Sequence, residues 1–526
     1  MTRRVRNILF IMCDQLRWDY LSCAGHPTLE TPNIDRLAAR GVRFDRAYVQ
    51  GPVCGPSRMS YYTGRYVGSH HAIWNFVPLR VGEQTLGDYL RPLGLRVALA
   101  GKTHMEPDRP GMERLGLSPQ SERGMLVAEC GFEPFDRDDG IYPSLFGKRI
   151  GTKYCEYLRK RGYEADNPWH DFANSAAGPK GEILSGWSMR YARLPARVRE
   201  EDSETPYMTR RAMELIAAQG DKPWCLHLSY IKPHWPYVAP APYNDMYDEG
   251  DILPANRVAR ERDDMHPVYA AYGKVRESQS FSRDEVRRTV IPTYMGLVKQ
   301  VDDQLGQLFA FLEKQGRFDD TLIVFTSDHG DYLGDHWLGE KEMFHDVSSK
   351  VPMIVYDPDP AADATRGTVD RSLVEAIDLV PTFIEAVGGT PPRHILEGRS
   401  LLPLLRGARP ASWREAVFSE LDYSFREPRL FLDLPVDACR AIMVRDARWK
   451  YLHFDGFRPM LFDLEDDPAE LVDLGADPAH AKVRDDLAGR IFTWLARLQT
   501  RETTPHAAAE GWVEKANKGG ILIGQW

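Results

Sequence analysis

Five short runs of unbroken apolar residues, separated by helix-like sequence, set the first limit on what this chain can fold into. They cover 7–13, 95–100, 224–230, 321–326 and 352–356. A strand wetted on one face alternates apolar with polar residues, whereas a strand covered on both faces has no need to. Between the runs lie helix signals. Thr31-Pro32-Asn33-Ile34 opens a helix with Thr31 as N-cap and Pro32 at the first position, and Gly41 closes it. Residues 84–93 and 373–387 read as helical, and 283–315 as one long amphipathic helix. The alternation predicts an α/β fold, a large mixed and mostly parallel sheet with helices on both faces.

Past about residue 405 the pattern changes. Segments 416–420, 440–446, 449–454 and 459–463 read as short antiparallel strands, followed by an amphipathic helix at 479–499. The expected organisation is an α/β catalytic domain over 1–405, a small α+β lobe over 406–500 and a tail over 501–526. The tail ends in Ile521-Leu522-Ile523 and Trp526 after a polar stretch. Left in water it would expose the kind of apolar patch that marks interfaces. It is predicted to pack across a neighbouring subunit near the active-site mouth, in a homodimer or a dimer of dimers.

Composition excludes several classes. The net charge of −9 over 526 residues, with no dense Lys/Arg run, argues against nucleic-acid binding. Seven cysteines without a CxxC pair are neither a disulfide framework nor a zinc ribbon, and fit a reducing compartment. The start is basic and then apolar, but the apolar run stops at Asp14 without a small-residue cleavage site, so it reads as a first strand and not a signal peptide. No apolar stretch is long enough to span a bilayer. The expectation is a cytoplasmic protein with no membrane partner.

Chemistry enters with Cys54, in the run Gly51-Pro52-Val53-Cys54-Gly55-Pro56-Ser57-Arg58. A lone Cys is most often a small buried hydrophobe. The sharper reading is that Cys54 is oxidised after synthesis to formylglycine, whose hydrate offers one oxygen as nucleophile and a second that can later expel the bound group. Four further motifs bear on it. Asp14-Gln15 follows the first strand and Ser327-Asp328-His329-Gly330 the fourth; together they supply two carboxylates, an amide oxygen and an imidazole, a donor set for one divalent ion. Gly101-Lys102-Thr103-His104 and Lys232-Pro233-His234 follow the second and third strands, and Lys341 adds a cation. In open α/β sheets, ligands bind where the strands end. Any one of these side chains alone would be read as surface or turn; their shared position beside Cys54 carries the case.

These residues, together with Thr31-Pro32-Asn33-Ile34-Asp35-Arg36-Leu37, resemble the type I sulfatases of the alkaline phosphatase superfamily over nearly the whole chain. Within them the chain is most similar to the bacterial arylsulfatase and phosphonate monoester hydrolase branch, which Asn75 in Trp74-Asn75-Phe76 and the segment Lys450-Tyr451-Leu452-His453-Phe454 also match. The resemblance implies an alkaline phosphatase-like fold and a set of roles. Formylglycine at position 54, made by formylglycine-generating machinery, is nucleophile and metal ligand. Asp14, Gln15, Asp328 and His329 complete the shell of one divalent metal, Mn²⁺ or Ca²⁺. Arg58 orients the diol, Lys102 sits against it, and His104 is the base that breaks the covalent intermediate. His234 and Lys341 hold sulfate oxygens and assist the leaving group, and Asn75 contacts a substrate oxygen.

Two departures pull in opposite directions. Gln15 and His329 are the pattern of phosphonate hydrolases, which makes Mn²⁺ attractive because imidazole favours transition metals. Lys102 and His104 are the sulfatase pair, where phosphonate hydrolases carry Tyr and Thr. The expected activity is therefore hydrolysis of small anionic sulfate monoesters. The alternatives are a phosphonate monoester or phosphodiester hydrolase with the same machinery, a phosphomutase with a Ser or Thr nucleophile, and a degenerate binding subunit.

Overall fold

The structure is a computed structural model and describes residues 5–143 and 149–519. Its centre is an eight-stranded sheet. In chain order the strands are β1 (Asn7–Asp14), β2 (Val42–Tyr48), β3 (Arg96–Gly101), β4 (Glu133–Arg137), β7 (Trp224–Pro233), β8 (Thr321–Ser327), β9 (Met353–Tyr356) and β10 (Thr368–Glu375). A small separate hairpin supplies β5 (Ser175–Ala177) and β6 (Ile183–Ser185). The spatial order is β10-β2-β9-β8-β1-β7-β3-β4, with only β9 antiparallel to its neighbours. This is the expected mixed, mostly parallel sheet.

The unbroken apolar runs have a direct cause in the packing. Leu9, Ile11 and Cys13 of β1 enter one apolar layer, while Ile8, Phe10 and Met12 enter the other. In β8, Ile323 and Phe325 face the first layer and Leu322 and Val324 the second. Each such side chain contributes about 1.5–3 kcal/mol on burial. The helix Asp284–Lys314 covers the first layer with Ile291, Met295, Val298, Leu305 and Leu312. The helix Leu379–Ala386 covers the second.

Three local expectations are corrected. Thr31 does not cap the helix Pro32–Arg40. Its hydroxyl faces Ser22 and Asp35, and Asp302 on the long helix accepts from the backbone N–H of Asn33 (3.0 Å) and Ile34 (2.8 Å) instead. A carboxylate on two helix N-terminal amides outcompetes a hydroxyl. Residues 373–375 end β10, and the helix begins only at Leu379. The sequence 84–93 forms two short turns of helix, Leu86–Leu90 and Arg91–Leu93. Strands β2 and β4 carry charged residues among few apolar ones, so periodicity alone did not reveal them.

The C-terminal strands β11 (Val417–Asp422), β12 (Arg440–Arg445), β13 (Trp449–Phe454) and β14 (Met460–Asp463) form an antiparallel meander. One face packs Val444, Tyr451 and Leu461 under the helix Ala481–Leu495. The other packs Met443, Leu452 and Phe462 against Tyr269, Tyr332 and Phe344 of the α/β part. A helix, His506–Lys518, follows. The apolar tip of the tail lies outside the described residues. Among those described, no helix is long and apolar enough to cross a membrane, and all seven cysteines are free.

Candidate active site

Parallel strands put their carboxyl ends on one edge, and four of the motifs emerge there. Asp14 ends β1, Lys102 follows β3, Pro233 ends β7 with His234 next, and Asp328 follows β8. Cys54 is the first residue of a fully buried helix, Cys54–Thr63, that points its N-terminus into the same place. A cavity of about 420 Å³ opens over them, lined by Cys54, Asn75, Lys102, His104, His234 and Lys341 among others.

At the floor, Asp14, Cys54, Asp328 and His329 each offer a donor atom, all within 4.8 Å of one another and all buried. Cys54 Sγ is 3.1 Å from His329 Nε2 and 3.9 Å from Asp14 Oδ1. His329 Nε2 lies 3.8 Å from Asp14 Oδ1 and 3.6 Å from Asp328 Oδ1. The outer carboxylate oxygens are already used. Asp328 Oδ2 accepts from Arg58 Nε (2.8 Å), and Asp14 Oδ2 from Arg58 Nη2 (3.1 Å), with Lys102 Nζ 2.5 Å away. His329 Nδ1 is pinned on Gly330 O at 2.9 Å. Asp14, Asp328 and His329 are each held from behind and turn a donor inward, with Asp328 Oδ1 also accepting from Gln15 N–H (3.0 Å), the kind of support metal ligands have. Burial raises the Asp14 pKa, but Lys102, His234 and Arg58 more than offset it and hold the carboxyl well below its ordinary range. Burial keeps the His329 imidazole on the neutral, ligating side.

Arg58 is also bound to Lys102 O (2.9 Å) and Ser229 Oγ (2.8 Å), so it knits three strand ends together. Among the described residues Lys102 Nζ has its ion pair with Asp14 but no aligned hydrogen-bond acceptor, which leaves its protons for a ligand in the cavity. Lys341 Nζ donates to Gln15 Oε1 (3.1 Å) and His234 Nε2 (3.0 Å) and pairs with Glu340 (3.2 Å). Burial opposes its charge, yet Cys54, Glu340 and Asp14 raise its pKa overall. His104 is held below its ordinary pKa by burial and by the Lys102 charge.

Gln15 and Asn75 each have protein partners of their own. The Gln15 amide is engaged by Lys341 on its oxygen (3.1 Å) and by Asp331 (2.5 Å) on its nitrogen. Asn75 Oδ1 accepts from Gly55 N at 2.7 Å, tying the start of the Cys54 helix and leaving its NH₂ group for a ligand. Sequence reasoning missed Asp331, which orients Gln15 and accepts from Tyr237 (2.7 Å), although it stands one residue beyond the quoted Asp328 motif. It also missed the mouth, where Phe76 stands edge-on to His104 (5.5 Å) and Trp74 stacks on Phe425 (5.9 Å). Phe425 comes from the lobe, 350 positions away, and no local signal could have placed it.

Comparison with known proteins decides the family. The Sulfatase family model matches residues 6–389, and an N-sulphoglucosamine sulphohydrolase C-terminal model matches 334–496. The chain belongs to the sulfatase family. It is a sulfatase-family hydrolase. It is 33% identical to the multifunctional alkaline phosphatase superfamily protein PehA of Trinickia caryophylli, over 97% of this chain and 98% of that one. It is 28% identical to the choline-sulfatase of Rhizobium meliloti, over 91% and 84%. Among solved structures, the phosphonate monoester hydrolases of Silicibacter pomeroyi and Agrobacterium radiobacter each superpose with a TM-score of 0.80 at 30% identity, covering 94% of this sulfatase and 96% of the other chain.

Proposed function

We propose that this sulfatase hydrolyses small sulfate monoesters with a formylglycine made from Cys54 as nucleophile and one divalent metal at its floor. The supporting observation is the buried four-donor cluster around Cys54, with Lys102 and Lys341 facing the same cavity. The donor set of two inward carboxylate oxygens, a neutral imidazole and the residue-54 side chain fits Mn²⁺ or Ca²⁺, with Gln15 as a further oxygen at its edge. The ion would supply positive charge opposite the ester oxygens. The hydrated aldehyde would supply an oxygen nucleophile on a carbon that can afterwards return to a carbonyl.

The remaining work falls to side chains of the chain itself. Arg58 holds both carboxylates in place. Lys102 and Lys341 bind the sulfate oxygens and stabilise charge that grows on them and on the leaving oxygen. His234, whose Nδ1 is fixed on Trp235 O at 2.6 Å, presents Nε2 to Lys341 and steadies it beside the leaving group. His104, neutral and lining the cavity with Cys54, takes the proton whose loss releases sulfate. Asn75 offers its NH₂ group to a substrate oxygen.

Phosphonate monoester hydrolysis is a second reading, favoured by the 30% identical solved structures. Turnover of an aryl sulfate against an aryl phosphonate monoester at matched concentration separates the two. The mass of the residue-54 peptide and the metal content of the same preparation test the machinery; an active protein with an intact thiol at position 54 refutes it.

A further inference from the structure

Given the proposed role of His104, something must aim its ring. Among the described residues His104 Nδ1 is buried without a hydrogen-bond partner, so apart from the Phe76 ring beside it (5.5 Å) no side chain orients the imidazole from behind. The backbone supplies the rest. His104 sits at φ +53°, a left-handed conformation that costs a residue with a Cβ about 1–2 kcal/mol and persists where its surroundings over-determine it.

Those surroundings are one ion pair at the end of β4. Asp139 Oδ1 accepts from the backbone N–H of Thr103 (2.9 Å) and of His104 (3.0 Å). Asp139 Oδ2 receives Arg137 through Nε (2.9 Å) and Nη2 (2.5 Å). The same Nη2 donates to Met105 O at 2.9 Å, and Arg137 Nη1 to Glu129 at 2.7 Å. Residues 103, 104 and 105 are thus each tied to one rigid unit on a neighbouring strand. Burial raises the Asp139 pKa, but Arg137 and His104 bring it below the ordinary value, so the acceptor stays charged.

We propose that the Asp139–Arg137 pair is a positioning device for His104, acting on sulfate release and not on substrate binding. It fixes the left-handed turn that keeps the imidazole beside residue 54. In the step it serves, His104 accepts the proton of the free hydroxyl on the residue-54 carbon. The bond from that carbon to the sulfate oxygen breaks, the electron pair leaves with sulfate, and the carbon becomes a carbonyl again. No co-reactant is needed.

The test uses Asp139→Ala and Asp139→Asn in the full chain, with metal content and residue-54 conversion measured first. Alanine removes the one oxygen that accepts from both amides and the carboxylate that Arg137 holds; asparagine keeps an oxygen for the amides but not the ion pair. Asp139→Ala should lower kcat on an aryl sulfate about 10²-fold with little change in KM, the cost of a displaced catalytic group. Acid quenching during turnover should find a sulfo group retained on the residue-54 peptide of Asp139→Ala; Asp139→Asn, which keeps an oxygen on the two amides but turns an NH₂ group against Arg137, should fall between alanine and wild type. A crystal structure of Asp139→Ala should show His104 out of the left-handed region. Wild-type kcat in Asp139→Ala, an asparagine variant as fast as wild type, a slow alanine variant without the sulfo group, or an unmoved His104 would each overturn the proposal. A thiol at position 54 in active wild-type protein would instead refute the functional reading, and the His104 conformation in Asp139→Ala would still decide the positioning.

Discussion

Asp14, Lys102, His234 and Asp328, at the floor of the cavity, leave four adjacent strands of one sheet. Phe76, Glu106, Ile141 and Phe425, at its mouth, come from four separate connections, one of them in the C-terminal lobe. The floor is buried and cross-braced: Arg58 alone makes four hydrogen bonds, three at the ends of β1, β3 and β8 and one to Ser229 of β7. The mouth is open, with Phe76 71% exposed. The physical lesson is a division of labour. Charge buried at fixed spacing is set by sheet geometry and tolerates little change, while loops around it can vary which ester is admitted.

The largest effect expected from breaking the floor is loss of the nucleophile. Cys54→Ala should cut turnover of an aryl sulfate by about 10³-fold or more, measured at saturating substrate. Asp328→Asn comes next. It removes one inward charge, and bound metal measured by mass spectrometry should fall with activity while the thermal transition persists. Retained activity in the metal-free variant would remove this site from the account.

Arg58→Leu probes the brace itself. It leaves Asp14 and Asp328 buried beside one less cation, and denaturant unfolding should show a loss of about 3–5 kcal/mol. Behind the brace, His227 of β7 stacks on Phe10 (4.4 Å) and bonds Tyr62 (2.9 Å), and burial pushes its pKa down to about 3. A histidine buried neutral must gain a proton in acid, which the unfolded chain accepts first. Its contribution to stability is therefore full above about pH 6.5 and is lost as the pH falls toward 3. His227→Phe should flatten that acid limb in pH-dependent melts, and an unchanged limb would assign it elsewhere. The smallest effect belongs to the mouth. Phe425→Ala should change KM for a bulky aryl sulfate by less than about tenfold and leave kcat within about twofold.

The same contrast explains what could be read from the sequence. The floor was legible because each strand is a continuous apolar run and its functional residue is the next one along, as with Met12-Cys13-Asp14 or Phe325-Thr326-Ser327-Asp328. Residue identity did the rest at Cys54 and Lys102. The mouth was not legible, because Trp74 meets Phe425 and Glu342 meets Arg426 only through the packing of the lobe. The Asp139–Arg137 brace was hidden for a related reason: β4 is five residues long and mostly polar, so nothing in its pattern marks it as a strand of the sheet. The cap on the helix Pro32–Arg40 came from Asp302 and could not be read from the local Thr-Pro signal.

Cys54 is 1% exposed, and its immediate partner His329 lies 275 positions further along the chain. The pocket around it cannot close until that segment has left the ribosome, about 14–55 s later at 5–20 residues per second. An enzyme that oxidises Cys54 would meet it most readily on the nascent chain within that interval, because in the finished fold the thiol is buried among Asp14, Asp328 and His329. The extent of conversion then becomes a race between translation and modification, and slowing elongation should raise the fraction of chains that emerge competent.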